Sequence, residues 1–206
     1  MEPAVRGSWI ESPIITDRVR NVAFGSQPPK IPGRRRDLAV VRSDLPVSAQ
    51  VESTGATWLD RQLVARDPVS LSSSGFGREV HAGMKARVEY LAREGLARRQ
   101  GQRIIFSRDL LETLRRRELD QAAARVASDS GLPYRAAAEG HVLNGVYRQR
   151  ISLASGRFAM IDDGLGFSLV PWTPSLERHL GREVVGIART CRIEWTFAKQ
   201  RGLGLG

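Results

Sequence analysis

Cysteine is almost missing from these 206 residues: Cys191 stands alone. An internal disulfide and a thiolate-rich metal cluster are therefore excluded, and a reducing compartment suits the chain. Histidine is nearly as scarce. His81, His141 and His179 fall on an expected helix, a loop and a helix end, and no HxH or HExxH spacing joins them into a ligand set. No apolar run approaches the roughly 18 residues that span a bilayer, and the opening MEPAVRGSWIESP has no long apolar core such as a secretory signal needs. A cytoplasmic protein with no metal and no cofactor is expected.

Lysine is the third scarcity, and the most informative. Only Lys30, Lys85 and Lys199 are present, yet Lys+Arg total 32 against 22 Asp+Glu, for a net charge of +10 and a pI near 11.0. Nearly all the positive charge is guanidinium, whose planar fork pairs bidentately with phosphate and stacks on bases. A polyanionic partner is implied, nucleic acid above all. Hydrophobic residues make up 41% of the chain, enough for one good core or two small ones.

Three stretches differ in pattern. Residues 1–36 carry Pro3, Pro13, Pro28, Pro29, Pro32 and the run Arg34-Arg35-Arg36 without a sustained period, which reads as a loose basic arm. Asp37–Val41 has the composition of a short strand. Residues 37–133 then read as a helical subdomain. Ser53 or Thr54 is positioned to cap a helix bearing Trp58, Leu59 and Leu63, and Ser74 precedes a second helix in which Phe76, Val80, Met84, Val88 and Leu91 recur at helical spacing before Gly95. Leu96–Phe106 looks like a basic hairpin turning at Gln100-Gly101. Ser107 then starts a third helix through Leu111, Leu114, Leu119, Ala122 and Val126, ended by Gly131. Helices, a hairpin and a further helix make a winged-helix-like order.

In residues 134–206 the period changes to that of strands. Val146–Leu153, Phe158–Ile161, Phe167–Val170, Glu183–Ala188 and Ile193–Ala198 are five candidate strands, with a short helix opened by Thr173-Pro174 between the third and fourth. The expected class is α+β: a helical, winged-helix-like subdomain followed by a small five-stranded barrel, OB-like or SH3-like. In a regular pleat Val146, Arg148 and Arg150 would face opposite to Tyr147, Gln149 and Ile151, and Trp172 would plug the barrel's end.

Chemistry is harder to find. In SLASGRFAMIDDGLGFSLVPW (152–172) the pair Asp162-Asp163 is followed by Gly164 between two strands, the composition of a turn. Adjacent residues at a strand tip point apart, so they make a poor acid/base pair. SSSGFG (72–77) lacks the Lys and Ser/Thr of a phosphate loop, and nothing follows RGLGLG (201–206) to form a helix. No catalytic site is expected. The candidate nucleic-acid-binding residues are basic: Arg98, Arg99 and Arg103 on the hairpin, Arg115, Arg116 and Arg117 consecutive on a helix, and Arg148, Arg150 and Arg157 on the first barrel strands, with Tyr147 and Phe158 as stacking partners. The alternative for each cluster is a solvated face with local pairs such as Glu112 with Arg116.

GATWLDRQLV (55–64), GLARRQGQRIIFSRDLLETLRRREL (95–119), ASGRFAMIDDGLGFSLVPW (154–172) and RGLGLG resemble the C-terminal region of VirD2-like conjugative relaxases. That region is a domain of unknown function in mobilization nucleases of proteobacterial plasmids and integrative elements, and the resemblance runs over roughly 37–206. In those proteins an N-terminal domain nicks the transfer origin with a tyrosine nucleophile and a histidine-bound metal. Here Tyr90, Tyr134 and Tyr147 all lie in the C-terminal-like part with no histidine cluster, so nicking is not carried over. The resemblance implies a context, DNA transfer, and no assigned role for this region; joined to the basic surfaces, it leads to the expectation of a non-catalytic accessory module of a relaxase binding single-stranded or origin DNA. A protein-interaction module that presents a relaxase to the transfer machinery, its arginines serving as a translocation signal, is the alternative.

Overall fold

The computed structural model describes residues 9–11, 43–189 and 192–197. The 1–36 arm apart from Trp9–Glu11, the strand expected at 37–41, Cys191 and the glycine-rich end lie outside the described residues. Mixed helix and strand are observed, as the α+β class requires. The chain divides into two compact units, Met1–Glu112 and Thr113–Gly206.

The first unit contains β1 (Trp9–Glu11), α1 (Val47–Val51), α2 (Trp58–Leu63), α3 (Gly75–Arg93), β2 (Ala97–Gln100) and β3 (Arg103–Ser107). The cap of α2 is Thr57, not Ser53 or Thr54. Its hydroxyl accepts from the Asp60 amide while the Asp60 carboxylate accepts from the Thr57 amide, a complete capping box. The apolar stripe of α3 buries Val80, Met84, Val88 and Leu91, whereas Phe76 is 53% exposed at the first turn, beyond the reach of that stripe. Gly95 adopts φ 72° and its amide donates to the Ala92 carbonyl while Leu96 donates to Leu91, the paired bonds that end a helix in a left-handed residue. The chain then enters the expected hairpin, Gln100 opposite Arg103. β1 was not expected; it pairs antiparallel with β3 to give the order β1-β3-β2.

At the heart of this unit lies a buried charge. The five N–H groups of the Arg87 guanidinium, 0% exposed, are all engaged: Nε and Nη2 donate to the two Asp60 oxygens at 2.8 and 2.9 Å, Nη1 to the Val51 and Ser53 carbonyls at 3.0 and 2.5 Å, and Nη2 to the Gly55 carbonyl at 3.0 Å. One side chain of α3 thus fixes the path from the end of α1 to the start of α2.

The unit boundary falls within α4 (Leu110–Ser130), a helix that the sequence pattern assigns to the helical subdomain. Residues 113–130 belong to the second unit with β4 (Val142–Leu153), β5 (Gly156–Asp162), β6 (Phe167–Pro171), a 3-10 helix (Pro174–His179), β7 (Glu183–Arg189) and β8 (Arg192–Thr196). The five strands and the helix between third and fourth appear as expected. Their order is β6-β5-β4-β7-β8, all antiparallel.

The barrel does not close. Among the described residues no ladder joins β6 to β8, and part of the outer edge of β6 is occupied: Arg135 donates to the Phe167 carbonyl and Phe167 to the Pro133 carbonyl. The open sheet is buried on both faces of β5. Ala159 and Ile161 join Leu143, Tyr147, Val170, Leu176, Val184 and Ile193 in one core, whereas Met160 packs with Phe167, Leu169 and the α4 residues Ala122 and Ala123 in another. Trp172 is half-buried against the first core rather than sealing a barrel end. Glu118 of α4 ties helix to sheet: its carboxylate accepts from the Ala154 and Ser155 amides at 2.7 and 2.9 Å and from the Ser155 hydroxyl, holding the turn between β4 and β5.

Candidate nucleic-acid interface

Arg98, Arg99 and Arg103 are exposed on the hairpin. They line two adjoining hollows against α3 that share Glu89, Arg99 and Ile104, one with Arg93 and Arg98 and the other with Lys85 and Arg103. Arg99 meets Glu89 of α3 at 3.3 Å, but both side chains are more than two-thirds exposed, so water screens most of that attraction. Each hollow therefore presents cations at both the strand and the helix side.

On α4 the three consecutive arginines fan apart, as a 100° step per residue requires. Arg116 and Arg117 are exposed, and Arg115 is half-buried with its guanidinium 5.7 Å from the Phe158 ring centroid. Phe158 is itself only 3% exposed. It supports Arg115 from within the fold and has no free face for a base.

Tyr147 is the second stacking partner to be corrected. The β4–β5 register shifts between Tyr147 and Gln149, so Arg148 is the extra residue of a β-bulge and the pleat is not regular there. Tyr147 turns into the core, 1% exposed. Burial pushes its hydroxyl above the ordinary tyrosine range, as does Glu177, while Trp172 and Arg150 oppose the rise. Beyond the bulge the faces are exchanged: Ile151 packs with the α4-side core, opposite to Tyr147.

The aromatic ring that does meet the arginines is Trp172. The Arg150 guanidinium carbon lies 5.3 Å and that of Arg157 5.9 Å from its centroid, within cation–π range. The backbone sets this up, since the Trp172 amide donates to the Arg157 carbonyl at 2.9 Å. Arg150 also reaches Glu177 of the 3-10 helix at 3.2 Å. The sequence signal for this ring was the Pro171-Trp172-Thr173-Pro174 corner, which places an aromatic between a strand end and a helix start.

Arg148 turns the other way, donating from Nε to Asp162 at 2.9 Å. Asp162 and Asp163 are turn residues: their carboxylates accept from the Gly164 and Leu165 amides, each at 2.8 Å, and Gly164 has φ 83°, where glycine is unstrained. The Gly164 amide, helped by Arg148 and opposed by burial, holds the Asp162 carboxyl below its usual range. A depressed carboxyl pKa contributes stability above its unfolded value, and that contribution is lost as pH falls through the folded value. Replacing both aspartates by Asn should therefore lower stability by about 1–2 kcal/mol at neutral pH, with the gap to wild type shrinking below about pH 4. On the nucleic-acid-binding expectation drawn from the sequence, DNA affinity should be unchanged or slightly stronger, since two negative charges are removed. Thermal midpoints at neutral and acid pH, with a binding titration, check both halves; a destroyed metal-dependent cleavage activity would contradict the turn assignment.

Among the described residues no three His, Cys, Asp or Glu side chains gather where a metal ion could be held, and no helix is long and apolar enough to cross a membrane. Residues 31–204 match the family model described as Protein of unknown function (DUF3363). The chain belongs to the DUF3363 family. No curated protein and no solved structure matches it. In this DUF3363 chain the matched span contains all three arginine clusters, Trp172, the Asp60–Arg87 pair and the Glu118 contact.

Proposed function

We propose that this DUF3363 chain is a non-catalytic DNA-binding module acting as an accessory part of a conjugative relaxase in plasmid or integrative-element transfer, inside the cytoplasm. One observation carries the reading. In a chain of net charge +10, eight of the nine candidate arginines on the hairpin, α4 and β4–β5 are exposed, Arg115 alone being half-buried, and such a surface attracts a phosphate backbone regardless of sequence. The relaxase context rests on the resemblance of the four motifs quoted above.

A mobility shift with single-stranded and duplex oligonucleotides at low salt tests it. The wild-type chain should retard both forms. Replacing Arg98, Arg99 and Arg103 by Gln, Arg115–Arg117 by Gln, or Arg148, Arg150 and Arg157 by Gln should each weaken binding, with the α4 triple flattening the salt dependence by roughly one or two contacts because its fan lets only part of the triplet face one groove. Gln keeps helix propensity, but Arg115 also leaves the Phe158 ring, so that variant should lose about 0.5–1 kcal/mol of stability. No shift at low salt would transfer the arginines to the interaction-module reading.

A further inference from the structure

We propose that Arg150 and Arg157, held over the Trp172 indole, form a clamp for one phosphodiester and its adjoining base in single-stranded DNA, and that Glu177 occupies the clamp until a phosphate displaces it. This rests on the DNA-binding reading and goes further by naming the strand form, the reading ring and an internal competitor.

The geometry supports it in three ways. Two guanidiniums from neighbouring strands, β4 and β5, converge on one ring, at 5.3 and 5.9 Å. Cations resting on an indole have less rotamer freedom left to lose when a phosphate arrives, so more of the contact energy survives as affinity. Trp172 packs against the core around Tyr147 and Leu176, and its backbone is bonded to that of Arg157; the platform is fixed while the arginines remain reachable, the Arg150 side chain being 43% exposed.

The choice of strand form follows from the ring. A duplex hides its base faces in the stack and offers only phosphates and groove edges, whereas an unpaired base has a π-face that stacks on guanidinium planes and aromatic rings. A site that combines two guanidiniums with an indole therefore gains more from a single strand. The wing arginines, which line two hollows with aliphatic Val88 and Ile104, lack that preference.

Glu177 supplies the most specific consequence. Its carboxylate meets Arg150 at 3.2 Å with 59% of its side chain exposed, so the pair is weak and water can take over either partner. A phosphate oxygen competes for the same fork of N–H donors. The carboxylate thus weakens binding at rest, and its removal should tighten it.

The test is an anisotropy titration of the full chain with a labelled oligothymidylate and with a blunt duplex of equal length. Glu177→Gln should bind the single strand about threefold more tightly, with a smaller effect on the duplex. Arg150→Gln should weaken single-strand binding by about fivefold or more and reduce the log-log salt slope by about 0.7, one contact. In the Arg150→Gln background, Glu177→Gln should give no gain. Trp172→Phe, which keeps a ring but a weaker quadrupole, should lower single-strand affinity with the salt slope unchanged.

A gain from Glu177→Gln that persists without Arg150, or that is equal on duplex, would reduce it to a general charge effect and overturn the clamp. If the chain binds DNA and all four variants titrate as wild type, the clamp fails and the DNA-binding reading stands; if wild type binds neither oligonucleotide, both fail.

Discussion

Arg87→Met is expected to destabilise the chain by about 3–5 kcal/mol, because it strips the partner from a buried carboxylate. Asp60 would keep only the Thr57 amide and hydroxyl, at 2.7 and 2.8 Å, and the Val51, Ser53 and Gly55 carbonyls would each lose the N–H that satisfies them. Those carbonyls set this arrangement apart from a simple ion pair. Replacing both charged partners with apolar residues often recovers the stability of a buried pair, but here Arg87→Met with Asp60→Leu would still leave three backbone acceptors without donors and the α2 cap undone. The double variant should remain destabilised by about 2 kcal/mol or more. Urea denaturation of wild type, single and double variants reads this directly, and a double variant as stable as wild type would show that the carbonyl contacts contribute nothing.

Glu118→Ala should cost about 2 kcal/mol, through the β4–β5 turn rather than through the helix. Alanine is the better helix former, so the substitution favours α4 locally while the Ala154 and Ser155 amides lose the carboxylate that accepts from both. Glu118→Gln, which retains one acceptor oxygen, should lose about half as much. Thermal midpoints order the three proteins. Were Glu118→Ala to melt with or above wild type, water would be replacing the carboxylate at no cost and α4 would be held by its apolar face alone.

The extent to which this fold is legible in sequence varies with the length over which a pattern repeats. Val80, Met84, Val88 and Leu91 mark α3 because four residues share one period, and the apolar pairs of β5 and β6 mark strands around a turn written by Asp and Gly. Arg87 breaks the period of α3 without leaving its buried stripe. What could have signalled its role is Thr57-x-x-Asp60, a capping-box spacing that places a carboxylate at a helix start, but the separation of 27 positions between Asp60 and Arg87 leaves their meeting to the tertiary fold. β1 is three residues long, too short to show a period. The bulge at Arg148 is invisible for another reason: it carries no glycine, and a one-residue slip changes nothing in composition while it exchanges the faces of everything after it.

That slip decides which aromatic ring meets the arginines of β4 and β5. With a regular pleat, Tyr147 belongs on the opposite side of β4 from Arg150; with the bulge it is sealed in the core and Trp172 is the ring beneath the arginines. Eight of the nine candidate arginines are exposed and Arg115 is half-buried, because a guanidinium stays hydrated unless a full set of partners surrounds it, as happens only at Arg87 among the arginines whose partners are described above.

The salt dependence of DNA affinity tests the central proposal most directly. Anisotropy titrations of the wild-type chain against one labelled strand and its duplex, between about 50 and 200 mM salt, should give log affinity falling linearly with log salt. The slope on the single strand should be steeper than about −2, the signature of three or more phosphates neutralised at about 0.7 each, and each should be flattened by the arginine replacements. A slope near zero, or no binding at the lowest salt, would contradict the account and leave these arginines as solvated surface.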